Sequence, residues 1–214
     1  MEDKVQTTPS PAEPMETKQK KNGSLVKTVF EYVELFAICV CVVFLTFSFL
    51  GRITRVRGKS MYDTLEDKQP LITTNLFYTP KAGDIVVFHQ TGDGAGAFNE
   101  VIIKRVIATG GQTVRIDFAN TELYVDGVLQ PDEHASFFDQ FYQDVGEYRI
   151  KSNMKEYDAL NQVLEVTVPE GYLFVMGDNR NHSSDSRNTS IGFVDERRVI
   201  GHAIISIYPF SFLN

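Results

Sequence analysis

The chain has 214 residues, 43% of them hydrophobic, which is enough to bury a core and form about one folded domain. Its net charge of -7 argues against the clustered lysines and arginines that bind phosphate backbones, so we expect no nucleic-acid partner. Both cysteines, Cys39 and Cys41, lie in the most apolar segment, which leaves the remainder of the chain without disulfides. We interpret them as small hydrophobic side chains rather than as a metal or redox pair.

Residues 1–31 are predicted to form a disordered tail in the cytoplasm. Residues 1–24 contain Pro9, Pro11 and Pro14 together with many Lys, Glu, Thr and Gln. Few apolar side chains are present, so this part of the chain cannot offset the conformational entropy that ordering costs.

Residues 32–51 are predicted to form a single membrane-spanning helix. The stretch from Leu35 to Leu50 carries no charge, and with Tyr32 and Val33 it approaches the length that crosses a bilayer. A cleaved signal peptide and a buried core helix are the alternatives. Cleavage requires small residues at the end of the apolar run, whereas this run ends in bulky ones, so we favour a retained anchor in the cell membrane.

The orientation of this anchor does not follow from charge. Lysines before the segment are matched by basic residues after it, so the positive-inside rule does not decide. We nevertheless expect a cytoplasmic N-terminus and an extracytoplasmic domain over residues 52–214, on the basis of the chemistry predicted below and not of the charges.

Residues 52–214 are predicted to be mainly β, as an antiparallel domain of short strands. Apolar runs alternate there with Gly, Pro, Asn and Asp, as expected for strands joined by turns. Asp126 and Gly127 supply the positive φ angles of a tight hairpin turn. Residues 133–162 are polar and aromatic without a clear period and are interpreted as an insertion. The runs predicted to be strands are 85–88, 101–103, 113–116, 123–125, 128–129, 164–168, 172–176 and 203–208.

Two patterns indicate nucleophilic catalysis when they are taken together. Ser60 follows the apolar segment closely, but a lone serine is a poor nucleophile unless a neighbouring group accepts its proton. Lys104 and Arg105 interrupt an apolar strand pattern, so one cation must be buried, and burial lowers the pKa of a lysine until it can act as a base. Taken alone, Ser60 is more simply a solvated hydroxyl, and Lys104 an edge-strand charge that opposes strand pairing.

A third segment, residues 176–187, is dense in hydrogen-bonding side chains and follows an apolar strand. An ordinary surface turn can have the same composition. A Ser–Lys pair, however, needs further donors and acceptors that orient the base, and this loop could supply them.

Four segments resemble bacterial type I signal peptidases in order and spacing. They are Gly58–Leu65, Gly83–Phe88, Ile103–Gly111 and Gly177–Arg187. The resemblance runs from the anchor to the C-terminus. It implies a signal-peptidase-type β catalytic domain with one transmembrane helix, and a membrane-bound endopeptidase that removes N-terminal signal peptides from exported preproteins.

The same resemblance implies a role for each catalytic residue. Ser60 would attack the scissile carbonyl and form an acyl-enzyme, while neutral Lys104 takes its proton and later activates water. Ser183 would hydrogen-bond Lys104 and hold it in position. The substrate would carry small residues one and three positions before the cut and bind as an added strand.

Other residues would support the site. Asp185 and Arg187 would form a pair near the dyad, Arg105 and Asp178 would brace the strands, and Met61 would help line the substrate pocket. We expect no cofactor and no metal, because the four histidines are scattered without a zinc-binding spacing. We expect the protein to act as a monomer.

Two positions depart from the resemblance. Asp63 stands where the family has proline, so the local backbone could be looser or form an Asx-type turn. Gly58 stands where some members have a serine in the oxyanion hole. The hole would then use backbone N–H groups, first among them that of Ser60.

Two other classes of protein compete with this interpretation. Self-cleaving repressors have a similar Ser–Lys pair, but they would carry a DNA-binding domain where this chain has an apolar segment. A non-catalytic relative that acts in surface-structure assembly would not need the pair, whereas both Ser60 and Lys104 are present.

Overall fold

The computed structural model of the protein describes residues 19–91, 99–131, 133–139, 143–144, 148 and 151–213. The chain divides into two compact units, Met1–Phe47 and Ser48–Asn214. The described part of the first unit is helical, and the second unit is built mainly from strands.

One long helix, α1, runs from Gln19 to Leu50. Its stretch Leu25–Leu45 has a mean hydropathy of 2.2 and is long and apolar enough to cross a membrane. No residue in the most apolar part of this stretch is buried. A buried core helix would hide these side chains. The helix begins inside the segment predicted to be the tail, because apolar residues from Leu25 onward extend the helical run towards the N-terminus. Residues 1–18 of the predicted tail lie outside the described residues.

The second unit is made of short strands. In chain order they are β1 (Arg52–Arg55), β2 (Pro70–Thr74), β3 (Ile85–Thr91), β4 (Asn99–Thr109), β5 (Thr113–Asp117), β6 (Glu122–Val125), β7 (Val128–Leu129), β8 (Phe138–Asp139), β9 (Gln143–Asp144), β10 (Tyr157–Asp158), β11 (Val163–Thr167), β12 (Tyr172–Met176), β13 (Val194–Asp195), β14 (Val199–Ser206) and β15 (Ser211–Phe212). A single-turn 3-10 helix, Glu196–Arg198, precedes β14.

These strands form two main antiparallel sheets. The larger has eight strands in the order β1-β2-β14-β3-β4-β12-β13, with β15 paired to β14. The smaller has the order β10-β11-β5-β6-β7. Asp126 and Gly127, with φ angles of 51° and 78°, form the turn between β6 and β7, which confirms the predicted hairpin. The mainly β, antiparallel fold class with one N-terminal apolar helix is confirmed.

The buried hydrophobic side chains of the described residues form three clusters. β2 and β11 bury alternate residues, as strands with one covered face do, whereas β12 buries four residues in succession. The largest cluster joins Ile107 and Phe174 of the larger sheet to Val114 and Leu164 of the smaller one. This packing holds two strands that position predicted site residues. β4 carries Lys104 and Arg105, and β12 leads into the loop that contains Asp178.

The region predicted as an insertion is partly described. β8 and β9 pair with each other, and β10 extends the smaller sheet beside β11. Ser136 forms an isolated parallel bridge with Asn179. The described part of residues 133–162 is therefore attached directly to the loop that follows β12.

Candidate active site

Ser60 lies in the loop that joins β1 to β2. A backbone hydrogen bond of 3.0 Å from Val56 N–H to the Gln69 carbonyl closes the base of this loop. Gly58 has a φ of 80°, in the left-handed region that glycine adopts without steric cost. The loop therefore turns sharply just before Ser60 and leaves that side chain partly exposed.

Lys104 lies on β4 and contacts the predicted nucleophile. It is opposite Val86 of β3, and only 3% of its surface is exposed. Its Nζ lies 2.7 Å from Ser60 Oγ and 3.1 Å from the carbonyl oxygen of Ile103. The structure thus brings Ser60 and Lys104 within hydrogen-bond distance of each other.

The environment of Lys104 favours its neutral form. Burial lowers its pKa from 10.5 to about 8, because the ammonium has lost most of its water. The carboxylates of Asp185 and Asp178 act in the opposite direction, whereas Arg187 contributes to the lowering. A lysine with this pKa is partly neutral near pH 7, and its free amine can accept a proton from a hydroxyl.

Asp185 and Arg187 form a fully buried pair in the loop after β12. Arg187 Nε and Nη2 each donate to an Asp185 carboxylate oxygen over 2.8 Å, and each residue is 1% exposed. Burial alone would raise the pKa of Asp185, but Arg187 and the Gly177 N–H hold it below its usual value. These two of the charges that act on Lys104 are therefore held in place by each other.

Arg105 and Asp178 connect neighbouring strands. Arg105 Nε and Nη2 donate to the two Asp178 oxygens over 2.9 and 2.8 Å, and Nη1 donates to the Gly83 carbonyl over 2.7 Å. Arg105 is 5% exposed and Asp178 is fully buried. One guanidinium therefore links β4 to the loop after β12 and to the turn before β3.

Ser183 is buried beside the dyad but does not contact Lys104 through a hydrogen bond. Its Oγ has no hydrogen-bond partner among the described residues. The nearby hydroxyl contributes to the lowered pKa of Asp185. A Cβ at position 177 would collide with both Ser183 Oγ and the Ser60 carbonyl, which shows how closely these groups pack around Gly177. The orienting role of Ser183 stays a prediction.

Met61 is placed in the core. It is 1% exposed and packs in a cluster with Val56, Leu65 and Ile103. It is not among the described residues that line the groove beside Ser60. Its part in a substrate pocket also stays a prediction.

A groove of about 970 Å³ opens beside the dyad. Its walls come from β1 and the loop after it on one side and from the first half of β4 on the other. The lining residues are Arg52, Ile53, Thr54, Arg55, Arg57, Gly58, Ser60, Val87, Glu100, Val101, Ile102, Ile103, Lys104, Ser184 and Ile200. Both Ser60 and Lys104 are among the residues that line this groove.

Comparisons with known proteins identify the family of this chain. A family model described as signal peptidase, peptidase S26, matches residues 29–208. A signal peptidase I from Bacillus licheniformis is 33% identical over 90% of this chain and 96% of its own length. A probable signal peptidase I-1 from Synechocystis is 32% identical over 85% of this chain and 83% of its own length. The chain belongs to the peptidase S26 signal peptidase family.

A solved signal peptidase I from Enterococcus faecalis is 29% identical, with a TM-score of 0.37, and the match covers 58% of this chain and 97% of that one. Membership of the signal peptidase family supports a serine endopeptidase. The long apolar helix near the N-terminus, together with this membership, indicates a membrane-anchored protein.

The two departures from the signal peptidase pattern lie on either side of Ser60. The Gly58 N–H donates to Asp67 Oδ1 over 2.8 Å, so that amide is already engaged. The Ser60 N–H donates to no acceptor within the described part of the chain, which leaves it available for an oxyanion. The Tyr62–Asp63 peptide bond, at the second of these positions, is cis.

The sequence did not reveal two residues that hold the nucleophile loop of this signal peptidase. Asn179 donates from its backbone N–H to the Ser60 carbonyl over 3.1 Å and from Nδ2 to the Lys59 carbonyl over 3.2 Å. Ser136 Oγ donates to the Tyr62 carbonyl over 2.6 Å. The composition of the polar loop predicts no particular contact for Asn179, and Ser136 lies in the predicted insertion at residues 133–162.

No group of three or more His, Cys, Asp or Glu side chains in the described ranges is arranged to hold a metal ion. Asp178 and Asp185, the two acids of the loop after β12, each face an arginine instead. Their negative charge is compensated within the protein.

Proposed function

We propose that this protein removes N-terminal signal peptides from exported preproteins, with Ser60 as the nucleophile and Lys104 as the general base. The observation that carries the proposal is the 2.7 Å distance between Lys104 Nζ and Ser60 Oγ, at a lysine that is 3% exposed. The relatives named signal peptidase I support the choice of substrate.

In the proposed reaction, neutral Lys104 accepts the hydroxyl proton of Ser60 while Oγ attacks the carbonyl carbon at the end of the signal peptide. The Ser60 N–H stabilises the resulting oxyanion. Lys104 then donates the proton to the leaving amine, and the mature protein departs. The signal peptide stays bound to Ser60 Oγ as an ester. The same amine next takes a proton from water while the water oxygen attacks the ester carbonyl. The bond to Oγ then breaks, Lys104 returns the proton to Ser60 Oγ, and the signal peptide leaves with a new carboxyl group.

The surrounding residues prepare this chemistry. Burial lowers the pH at which the Lys104 amine becomes neutral, and the two opposite charges of the Asp185–Arg187 pair adjust it. The Arg105–Asp178 pair supports β4, from which Lys104 projects. The unpartnered hydroxyl of Ser183 is available to orient Lys104, as the family resemblance implies.

The proposed topology matches the substrate. The apolar helix would anchor a monomer with a cytoplasmic N-terminus and place residues 52–214 outside the cell membrane. A preprotein is itself held in the bilayer by its signal peptide, so confinement of both molecules to one surface raises their effective concentration. No cofactor is needed for any step.

The test uses full-length protein in detergent or lipid with a preprotein that carries an Ala-x-Ala site. Ser60→Ala and Lys104→Ala should each lower the cleavage rate by at least roughly 10³-fold. Lys155→Ala removes an exposed lysine far along the chain and should cleave at the wild-type rate. Full activity in Lys104→Ala would refute the dyad, and a wild-type protein that cuts no exported substrate would refute the function.

A further inference from the structure

The groove beside the dyad lies between two free strand edges. Among the described strands, β1 pairs only with β2, and β4 pairs only with β3 until β12 joins it at Arg105. Each of the four pairings from β1 through β2, β14 and β3 to β4 is antiparallel. β1 and β4 therefore run in the same direction, and both lead towards Ser60 and Lys104.

The lining of the groove changes along its length. Near the dyad it is apolar or small, with Ile103, Val87 and Gly58. Along β1 and at the start of β4 it carries exposed charges, which are Arg52 and Arg55 on one wall and Glu100 on the other, and exposed Arg57 lies in the loop between β1 and Ser60.

These arginines are not neutralised by the protein. None of the three forms an ion pair or a side-chain hydrogen bond with any described residue. Glu100 is the one carboxylate among the described residues that line the groove. The groove is thus net positive in a chain whose net charge is -7, which is the reverse of what the overall composition would give.

We propose that the groove selects signal peptides that carry a carboxylate about four to six residues before the cleaved bond, and that Arg52, Arg55 and Arg57 bind this carboxylate. The inference rests on the proposed function, because it names the substrate class of the same site. A guanidinium presents a planar pair of donors that matches a carboxylate, so an arginine wall favours an acidic side chain over a neutral or basic one.

The position of the carboxylate follows from strand geometry. From Glu100 to Lys104, β4 advances about 13 Å, and an extended peptide beside it advances at the same rate per residue. When the scissile carbonyl of a substrate lies at Ser60, the substrate residues four to six positions away from that carbonyl therefore lie at the charged part of the groove.

The carboxylate is expected before the cut rather than after it. Along the chain, one residue separates the end of α1 from the start of β1, and the loop after β1 contains Ser60. The substrate has the same order of parts, since its apolar segment precedes its cleavage site. A substrate parallel to β1 and β4 therefore places the residues before its cut alongside Arg52 and Arg55.

Anionic lipid headgroups can also bind arginines near a membrane. The arginines line the same groove as Ser60 and Lys104, however, so a peptide that reaches the dyad must pass them. A lipid bound there would compete with the substrate.

The test compares peptides with an identical Ala-x-Ala site and Asp, Ser or Lys at the fifth residue before the cut, cleaved by full-length protein in neutral detergent. We expect kcat/KM to fall in the order Asp, Ser, Lys by about two- to fivefold per step, the range of exposed ion pairs. The differences should shrink from about 10 mM to about 1 M salt, as the Debye length falls from about 30 to about 3 Å.

Two charge reversals assign the effect to the groove. Arg55→Glu should reverse the order so that the Lys peptide is cut fastest, and Arg52→Glu offers the same test at a second position. Arg198→Glu alters the net charge equally at an exposed residue that does not line the groove, and it should keep the wild-type order.

The possible failures are distinguishable. If the wild type cuts all three peptides with equal kcat/KM, the inference is wrong and the proposed function stands. If no peptide and no preprotein is cut, the proposed function itself fails. A charge preference that arises only when anionic vesicles are added would assign the arginines to lipid and overturn the inference.

Discussion

Lys104 Nζ lies 2.7 Å from Ser60 Oγ, and burial holds the pKa of this lysine at about 8 instead of 10.5. The protonated amine cannot accept a proton, so the active fraction grows as pH rises towards 8. We expect kcat/KM to rise about tenfold per pH unit below pH 8 and to level off above it. Initial rates on one preprotein across the pH range measure this. A profile that stays flat through the acid range would contradict a lysine base.

The charges of Asp185 and Arg187, beside Lys104, should shift the acid limb of the pH profile in opposite directions. The acid limb is the part in which kcat/KM rises with pH. Asp185→Asn removes a carboxylate that raises the pKa of Lys104 and leaves the Arg187 cation unpaired, so the limb should shift to lower pH. Arg187→Met leaves the carboxylate uncompensated, so the limb should shift to higher pH. Each shift should be on the order of half a pH unit or more. The pH profile of kcat/KM for each variant gives the answer.

These two variants also lose stability, because each leaves a buried charge without its partner, at a cost of about 3–5 kcal/mol. The profiles must therefore be recorded at a temperature at which circular dichroism shows both variants folded. Shifts in the same direction would mean that the pair acts on the fold and not through the charge of Lys104.

The proximity of Ser60 and Lys104 could be predicted from sequence because its signals are local. Two cations in one apolar strand require burial of at least one of them, and the order of the motifs that resemble signal peptidases pairs Lys104 with Ser60. In the structure both Lys104 and Arg105 are buried. The contact between Arg105 and Asp178 follows only from the resemblance, and it connects β4 to the loop after β12. The catalytic roles of these residues stay predictions.

The contacts of Ser136 and Asn179 could not be predicted, because they join segments that are distant along the chain. A short polar side chain has no periodicity that reveals its partner, and only the packing of the insertion against the loop after β12 creates the contact. Gly58 illustrates a further limit. Its φ of 80° explains why glycine suits this position, but a backbone angle is visible only in the folded loop.

The Arg105–Asp178 pair should matter for stability. Asp178→Asn leaves a buried guanidinium without its counter-charge, and we expect the free energy of unfolding to fall by about 3–5 kcal/mol. Denaturant unfolding of the full-length protein in detergent, followed by circular dichroism, measures this. Arg197→Ala breaks a pair in which the arginine is 87% exposed and should leave the midpoint unchanged. Equal midpoints for both variants would refute the bracing role.

Asn179 contacts both peptide units that flank the nucleophile. Its Nδ2 donates to the Lys59 carbonyl, which belongs to the same peptide unit as the Ser60 N–H. Because the C=O and N–H of a trans peptide unit point in opposite directions, holding the carbonyl aims the Ser60 N–H the other way. In a site whose oxyanion donor is this backbone amide, Asn179 is thus a positioning residue.

Asn179→Ala and Asn179→Asp should therefore lower kcat by about ten- to a hundredfold, less than the loss of a whole oxyanion donor, while KM changes little. The aspartate keeps the shape of the side chain but replaces the donor by an acceptor that repels the Lys59 carbonyl, so it should not restore activity. Asn153→Ala, an exposed residue with contacts elsewhere, should retain wild-type kcat. Steady-state kinetics on one preprotein separate the two parameters. A rise in KM at unchanged kcat would assign Asn179 to substrate binding, because an oxyanion develops only in the transition state.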